Sequence, residues 1–393
     1  MADVVTARVR TRASGLEALP PLGLYIHIPW CVRKCPYCDF NSHALHDELP
    51  EQQYVAALRR DLEQALPLVW GRRIHSIFFG GGTPSLLSAG AVDEILVFAH
   101  TVLPIHSYAE ITLEANPGTF EVEKFSDFRA AGVNRLSVGI QSFNARHLKS
   151  LGRIHDDAQA LRAVEIARSL FDNINLDLMY ALPGQTPEEA LHDIQTAIAL
   201  GPQHISAYHL TVEPDTYFYT HPPRLPDDDS AAAMQQMIET ELAQAGYQHY
   251  ETSAFAQPRR RCAHNLNYWM FGDYLGIGAG AHSKLSFHDR IVRQARVRQP
   301  RAYMGAVESA RHTESEAPLD SDALAVEFMM NALRLREGFP IGLLHERTGL
   351  QITKVAAVLA VAESRHLIAR DHQWLRPTDL GKRFLNELLV LFL

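Results

Sequence analysis

Three closely spaced cysteines constrain this chain more than any other feature of its sequence. Cys31, Cys35 and Cys38 are separated by three and then by two residues. They directly follow a β-rich run at 23–28, so we expect them in the loop that leaves the carboxyl end of a strand. Three thiolates in one loop can hold three corners of a [4Fe–4S] cluster, which takes four ligands. Such a cluster leaves one iron open to an exogenous ligand.

Two other interpretations of the cysteines stay open on the sequence alone. A structural zinc site needs a fourth thiolate or imidazole, and the nearest candidates, His27 and His43, offer no second pair at the usual spacing. A disulfide is the weaker alternative, because three clustered cysteines cannot all pair and nothing else marks the chain as secreted. With Cys262 the chain has only four cysteines, which is typical of a reducing cytosol that keeps thiolates available for metal.

The composition indicates a soluble, cytoplasmic, globular protein. Hydrophobic residues make up 47 % of the 393 residues and charged residues 21 %, which is ordinary for one large domain and one smaller one. The net charge of −8 argues against sequence-independent nucleic-acid binding, which depends on many Lys and Arg contacts. No apolar run reaches the roughly 18 residues of a membrane-spanning helix. Residues 1–21 lack the apolar core of a secretory signal and predict a short disordered tail.

From residue 22 to about 310, short β-branched or aromatic runs alternate with amphipathic segments. This pattern is typical of strand–helix units around a parallel sheet. The predicted strands lie near 23–28, 74–79, 108–114, 134–140, 173–179 and 204–210, and the predicted helices at 51–66, 89–102, 122–131, 158–171 and 187–200. Six such units are too few for a closed eight-unit barrel.

The rest of the sequence predicts a cover for the sheet and a second domain. Residues 211–229, rich in Pro, Asp and Tyr, predict a flap over the barrel mouth. The glycine-rich run at 276–282 predicts close backbone packing, since no strand–helix unit with an acidic partner surrounds it. The remaining elements are a helix at 230–245, an edge strand at 247–253, a linker at 311–322 and, at 323–393, three helices, a β-rich hairpin and a last helix whose end is apolar enough to dock.

Polar and small residues recur where the predicted strands end. Cys31 follows the first strand and the glycines at 80–82 follow the second, while Glu114, Gln141 and Asp177 lie at the ends of the next three. Parallel barrels place their chemistry at this end of the strands, so the sequence predicts one site there. Taken singly, the glycines also fit a plain turn, and the carboxylates fit structural pairing, because an unpaired buried charge is costly.

Together these motifs resemble one family. Cys-x3-Cys-x2-Cys with Tyr37 before the last cysteine is similar to the signature of radical S-adenosylmethionine (SAM) enzymes. More narrowly, the segments 25–30, 80–85, 114–117 and 139–143 resemble the group that contains oxygen-independent coproporphyrinogen III oxidase and related haem chaperones. The resemblance runs from about residue 22 to the C-terminus. It implies an α/β fold, with an open partial (β/α)6 barrel and an α-rich, winged-helix-like C-terminal domain.

The resemblance also implies the cofactors and their contacts. A [4Fe–4S] cluster on the three cysteines would bind an exchangeable SAM through its open iron, and Gly81, Gly82 and Thr83 would contact the SAM amino group. The other positions implied for the cofactor site are Tyr25, Tyr37, Glu114, Gln141, Arg153 and Asp177. Reductive cleavage of SAM would need a low-potential electron donor. No catalytic residue is assigned.

Two features separate the activities within this group. The decarboxylases add a fourth cysteine two residues after the third, where this chain has Phe40, and they carry a longer N-terminal extension before the first strand. The His-Asn-x-x-Tyr-Trp sequence at 264–269 resembles the motif of the haem-chaperone branch. His264 is the candidate haem ligand, since imidazole is a usual axial ligand. We therefore expect a haem chaperone, with oxygen-independent coproporphyrinogen III oxidase as the alternative.

The expected partners follow from the same resemblance. They are haem, recipient haemoproteins of respiratory or storage type, and the electron donor, with peripheral contact to membrane haemoproteins and no nucleic acid. The resemblance further suggests a monomer that dimerises when the cluster is bound.

Overall fold

A computed structural model describes residues 15–45, 47–119 and 122–393. The strands are β1 (Leu22–Ile28), β2 (Trp30–Cys31), β3 (His43–Ala44), β4 (Ile74–Gly81), β5 (Ile105–Ala115), β6 (Arg135–Gln141), β7 (Ile174–Tyr180), β8 (His204–His209), β9 (Gln248–His249), β10 (Ala254–Ala256), β11 (Asp273–Ile277), β12 (His282–Ser286), β13 (Ile291–Arg296), β14 (Thr313–Pro318), β15 (Phe339–Pro340), β16 (Ile368–Arg370) and β17 (Trp374–Pro377).

The helices alternate with these strands over the first half of the chain and dominate its end. They are α1 (Glu51–Val69), α2 (Ala89–Val102), α3 (Val122–Ala130), α4 (Ala145–Ser150), α5 (Asp157–Leu170), α6 (Pro187–Leu200), α7 (Tyr217–Thr220), α8 (Asp228–Gln244), α9 (Ala263–Trp269), α10 (Pro300–Glu308), α11 (Ser321–Ala332), α12 (Gly342–Thr348), α13 (Ala356–Ser364), α14 (Asp379–Arg383) and α15 (Leu385–Val390). None of the helices in the described part of the chain is both long and apolar enough to cross a membrane.

The six predicted strands form the centre of one large sheet. β1, β4, β5, β6, β7 and β8 lie side by side in chain order, and each pairs parallel with the next. Local sequence signals account for the helices between them: α5 and α6 begin with capping boxes at Asp156 and Thr186, and α6 ends at Gly201 in a left-handed conformation. This confirms the α/β fold and the partial barrel, whose strands all direct their carboxyl ends to one edge.

The sheet continues beyond the six strands at both edges. β11 pairs parallel with β1, and β12, β13 and β14 follow antiparallel, while β10 and β9 extend the other edge. The sequence prediction missed β11 to β13. It also placed a single edge strand at 247–253, whereas the strand that pairs with β8 is β10, with β9 outside it.

The predicted linker at 311–322 is not an unstructured connection, because half of it is strand β14. Residues Thr313–Pro318 pair antiparallel with β13, and α11 begins at Ser321. Every side chain of β14 is exposed. A strand that buries neither face has no hydrophobic alternation, so its sequence resembles that of a polar linker.

The predicted N-terminal tail lies mostly outside the described residues, which start at Gly15. The part that is described is ordered, contrary to the prediction: Leu16 is buried and donates its backbone N–H to His288 O at 3.0 Å. The apolar Leu16 side chain packs against the core of the C-terminal domain, which also contains Phe328 and Phe339.

The C-terminal domain has the winged-helix-like arrangement expected. Strand β15 lies between α11 and α12, and β16 and β17 follow α13, and the three strands form a sheet in the order β15-β17-β16. The predicted last helix is divided into α14 and α15 at Phe384, whose backbone angles (φ −110°, ψ 45°) are not helical. Leu388 and Leu389 from α15 are buried in the domain core, so the end of the chain packs within its own domain.

Candidate functional site

A cavity of about 380 Å³ lies where the parallel strands end. It is lined by eleven of the residues predicted for the cofactor site: Cys31, Cys35, Tyr37, Cys38, Gly81, Gly82, Thr83, Glu114, Gln141, Arg153 and Asp177. The remaining two, Tyr25 and His264, do not line it. Convergence of residues from five successive strand ends on one cavity is the arrangement expected for the catalytic face of a parallel barrel.

Hydrogen bonds at Asn41 hold the cysteine loop in place. The Asn41 side-chain amide donates to Ala279 O at 2.9 Å, and the His27 ring Nε2 donates to Asn41 O at 2.9 Å. Gly280, with φ of 78°, leaves no room for a side chain, because an added Cβ would lie 2.2 Å from Asn41 Nδ2. The predicted close packing of the glycine-rich run is thus confirmed, and it supports the loop that carries the cysteines.

The three thiols are free, partly buried and directed towards the cavity. Cys38 Sγ lies 3.7 Å from Ser42 Oγ, and Arg153 Nη1 donates to Cys35 Sγ at 3.5 Å. Over the described residues, no three His, Cys, Asp or Glu side chains are placed to hold one metal ion together. Three free thiols on one loop beside a cavity fit an iron–sulfur cluster, in which each thiolate binds a different iron.

Two carboxyl groups with little exposed surface, Glu114 and Asp177, line the same cavity as the cysteines. Burial, together with the nearby Asp177, raises the pKa of Glu114 to about 8, even though the carboxylate accepts a hydrogen bond from the Gly81 backbone. Burial also raises the pKa of Asp177, against hydrogen bonds from Ser137 Oγ at 2.8 Å and Asn175 Nδ2 at 2.9 Å. Asp177 is therefore hydrogen-bonded within the protein, as the structural interpretation of the strand-end carboxylates expected. The pair still forms an acidic pocket that favours a cationic ligand group.

Tyr25 lies behind this acidic pocket. Its hydroxyl donates to His27 Nδ1 at 3.1 Å, and both it and Glu114 Oε2 lie 3.1 Å from the position of a Cβ added at Gly80. Burial and the adjacent Glu114 raise the Tyr25 pKa far above its ordinary value. Tyr25 and Glu114 therefore lie close to each other beside Gly80.

Gln141 and Arg153 each have a buried polar atom that forms no hydrogen bond within the described structure. Gln141 has a left-handed backbone, with φ of 63°, and its buried Oε1 has no hydrogen-bond partner in the described structure. Arg153 Nε is likewise buried without a partner, while Nη2 donates to Gly139 O at 3.0 Å and to Asn116 Oδ1. Unsatisfied buried polar atoms are rare in proteins, and here they indicate a ligand in the cavity.

Asn116 is a site residue that the sequence prediction did not assign. Its side-chain amide donates to Thr83 Oγ1 at 3.0 Å and its carbonyl accepts from Arg153, so it joins two predicted SAM contacts. Asn116 lies within the 114–117 segment that carried the family resemblance, and this was the available signal. Its role depends on contacts with two other loops, which sequence spacing does not reveal.

The predicted flap covers the cysteine loop. Phe218, in α7, donates its backbone N–H to Pro36 O at 2.9 Å, and its ring lies 6.4 Å from that of Tyr37. Burial raises the pKa of the Tyr37 hydroxyl well above its ordinary value. These contacts tie the segment after β8 to the cluster loop.

His264 lies away from the cavity, in α9, which packs against β1, β4 and β11. Its Nδ1 is hydrogen-bonded to Ser76 Oγ at 3.0 Å, and its ring lies 5.1 Å from the Phe78 ring and 6.3 Å from the Tyr25 ring. Burial, and then the Arg135 guanidinium, lowers the pKa of His264 to about 4, so the imidazole is neutral. The structure therefore places His264 near Tyr25 but does not bring it together with the predicted residues that line the cavity.

The comparisons with known proteins agree with this fold and site. The radical SAM superfamily profile matches residues 25–197, and the HemN C-terminal domain profile matches residues 319–384. The solved structure of Escherichia coli coproporphyrinogen III oxidase (HemN), described as a radical SAM enzyme, superposes with a TM-score of 0.82 over 97 % of this chain and 92 % of that one, at 23 % identity. That likeness establishes the fold, and the family match identifies residues 25–197 as a radical SAM domain.

Curated relatives define the family more narrowly. The chain is 48 % identical to "Heme chaperone HemW" of Escherichia coli K12, covering 95 % of this chain and 99 % of that protein. It is 47 % identical to the Haemophilus influenzae HemW over 96 % and 99 %, and 34 % identical to a Mycobacterium tuberculosis HemW over 83 % and 85 %. The chain belongs to the HemW family. Its place among radical SAM proteins implies a [4Fe–4S] cluster and SAM, and the thiols, carboxyls and unsatisfied polar atoms of the cavity fit both.

Proposed function

We propose that this protein is a haem chaperone, which binds haem and transfers it to haemoproteins, and that it carries a SAM-binding [4Fe–4S] cluster. The observation that carries this proposal is the full-length similarity to proteins named haem chaperones. The likeness to the coproporphyrinogen oxidase structure, at 23 % identity, concerns the fold. Phe40 supports the same assignment: it lines the cavity, 61 % exposed, where the decarboxylases have a fourth cysteine.

In this proposal Cys31, Cys35 and Cys38 ligate the cluster. Thiolates are the ligands that iron–sulfur clusters require, so binding displaces the thiol protons that burial retains on Cys31 and Cys38 by raising their pKa. When bound, the cluster with SAM supplies low-potential electron transfer and, on reduction, radical chemistry. The hydrogen bond from Arg153 to Cys35 Sγ would stabilise the thiolate form.

The cavity residues would orient SAM by charge. Glu114 and Asp177 form an acidic pocket for a cationic group, and Gly81, Gly82 and Thr83 place backbone and hydroxyl groups beside it. Because the pKa of Glu114 is about 8, the carboxyl holds a proton at neutral pH and would release it to accept a hydrogen bond from an ammonium group. Arg153 and Gln141 offer the unsatisfied polar atoms on the other wall, and Tyr25 and Tyr37 support the site from behind.

His264 is retained in the proposal as a candidate haem ligand. Its imidazole is neutral, which is the form that binds iron, but Nδ1 is engaged by Ser76. Ligation would therefore use Nε2.

The partners proposed are haem, recipient haemoproteins of respiratory or storage type and a low-potential electron donor, in the cytoplasm. Recipients in the membrane would be met by peripheral contact. A monomer that forms a homodimer on cluster binding completes the proposal, and nucleic acid has no part in it.

The test is an anaerobic haem titration of the cluster-reconstituted protein, followed in the Soret region, and then transfer to an apo-haemoprotein. Saturable binding of one haem per chain, followed by growth of the recipient's spectrum, is expected. The same preparation is incubated with coproporphyrinogen III, SAM and a low-potential reductant. Decarboxylation without haem binding would establish the alternative, an oxygen-independent coproporphyrinogen III oxidase.

A further inference from the structure

A second and larger cavity lies between the barrel and the C-terminal domain. Its volume is about 730 Å³, within the range of about 300–1,000 Å³ usual for small-molecule sites. The barrel contributes residues of β7, β8 and α8, and the C-terminal domain contributes residues 333–336 and 382–387. We call this cavity the interdomain groove. The cofactor cavity, at about 380 Å³, is only half as large and already has the cluster and SAM to accommodate.

Cationic side chains gather along the interdomain groove. Arg334, Arg336, Lys382 and Arg383 line it, together with the carboxylates Asp228 and Glu387. Arg336 pairs with Glu239 and Lys382 with Asp379, each at 3.1 Å, whereas Arg334 and Arg383 form no ion pair among the described residues. These two guanidinium groups can therefore attract an anionic ligand.

Two of the arginines are held in place by other residues. Arg334 donates from Nε to Met330 O at 3.2 Å, and its guanidinium lies 5.2 Å from the centre of the Trp269 ring. Arg336 pairs with Glu239 on α8 at 3.1 Å. Trp269 is the last residue of the His-Asn-x-x-Tyr-Trp motif. The motif therefore contacts a residue of this groove, Arg334, although Trp269 itself does not line it.

The groove also contains an imidazole beside apolar and aromatic surface. His209, at the end of β8, is exposed, and its ring meets the Tyr180 ring edge to face at 5.4 Å. Among the described residues, neither ring nitrogen of His209 has a hydrogen-bond partner. Partial desolvation by the surrounding protein lowers the His209 pKa, against the nearby Asp228, and this favours the neutral ring. Phe384, a large aromatic residue that is 49 % exposed, also lines the groove.

We propose that the interdomain groove is the binding site for a planar, dianionic iron porphyrin, with His209 as the axial ligand and the groove arginines at the carboxylates. The proposal deepens the proposed function and rests on it. Three residues, Tyr208, His209 and Thr211, line both cavities, so the porphyrin would lie directly beside the SAM site. In this site His209 takes the place of His264, the ligand candidate from the sequence motif, because His264 lines neither cavity.

The experiment is a titration of ferric haem into the full-length, cluster-reconstituted protein under anaerobic conditions, followed in the Soret region. His209→Ala is compared with His264→Ala and with His221→Ala, an exposed histidine that does not line the groove. The proposal predicts that His209→Ala shifts the Soret maximum and weakens haem binding at least tenfold, while the other two variants match the wild type. Thermal melts of all three variants establish that they are folded.

A second titration tests the contact with the carboxylates. Arg383→Gln should weaken haem binding several-fold, and Arg365→Gln, an exposed arginine of the same domain outside the groove, should not. With the iron porphyrin dimethyl ester, which lacks both charges, Arg383→Gln should bind as the wild type does. An equal defect with haem and the ester would overturn the role of the arginines.

The outcomes separate this site from the proposed function. Normal haem binding by His209→Ala, with loss in His264→Ala, would overturn the groove assignment and leave the haem chaperone intact. Normal binding by both variants would overturn the groove assignment as well. A wild-type chain that fails to bind haem would overturn the proposed function, and the groove assignment with it.

Discussion

Replacing Glu114 with Gln should make the cluster-free protein more stable at alkaline pH. Glu114 is buried beside Asp177, and its pKa rises from 4.5 to about 8. Gln has nearly the same shape and can still accept the Gly81 hydrogen bond, but it never ionises. The substitution therefore removes one cost, that of placing a charged carboxylate in a buried site next to a second acid.

The magnitude follows from the two pKa values. A shift from 4.5 to about 8 corresponds to at most about 5 kcal/mol, at about 1.36 kcal/mol per pH unit. The folded state binds the proton more tightly than the unfolded state, so the stability associated with Glu114 is complete below pH 4.5 and is lost as the pH rises towards 8. Between pH 5 and pH 8 the wild type should lose about 3 kcal/mol that Glu114→Gln keeps.

The assay is urea denaturation of the cluster-free wild type and variant at pH 5 and pH 8, with equal slopes confirming comparable unfolding. Glu63→Gln is the matched control, because Glu63 is exposed on α1. This control should show the same pH dependence as the wild type. If Glu114→Gln does so too, the carboxyl is not protonated in the folded protein and the account of the acidic pocket is refuted.

Three further predictions concern the site and its support. Replacing Cys31, Cys35 and Cys38 with Ser should abolish anaerobic cluster reconstitution, and four irons retained per chain would contradict their role as ligands. Arg153→Lys should weaken SAM binding about tenfold by calorimetry, since Lys lacks the planar fork of donors; an unchanged Kd would refute that contact. Asp61→Ala should destabilise the protein by about 3–5 kcal/mol in urea, because it leaves the buried Arg296, 3.0 Å away, uncompensated; a change below about 1 kcal/mol would argue against that pairing.

Asp61 illustrates how the sheet extension is attached to the barrel. The carboxylate, on α1, accepts hydrogen bonds from Tyr303 Oη at 2.8 Å and from the Gly278 backbone at 3.1 Å, besides its contact with Arg296. These groups come from α10, β13 and the turn after β11, far away in the sequence. A single acidic residue in an amphipathic helix gives no local sign of this role.

The sequence alone determined the repeating part of the molecule. The strands β1, β4, β5, β6, β7 and β8 and the helices between them follow from hydrophobic periodicity and caps, which are written in neighbouring residues. The positions of the cysteines, Glu114, Gln141 and Asp177 at the strand ends were equally readable, because strand direction fixes which end of the sheet they reach. These features depend on local conformation alone.

Tertiary structure decided everything that depends on a distant partner. β14 is a strand only because β13 offers it an edge, and Asn116 becomes a site residue only between Thr83 and Arg153. The sequence motif around His264 suggested a haem ligand, whereas the structure places that histidine against Ser76 and Phe78 and brings Trp269 to Arg334. The interdomain groove is assembled from segments far apart in the chain. Such contacts depend on which surfaces meet after folding, and the hydrophobic periodicity of the sequence does not predict which surfaces these are.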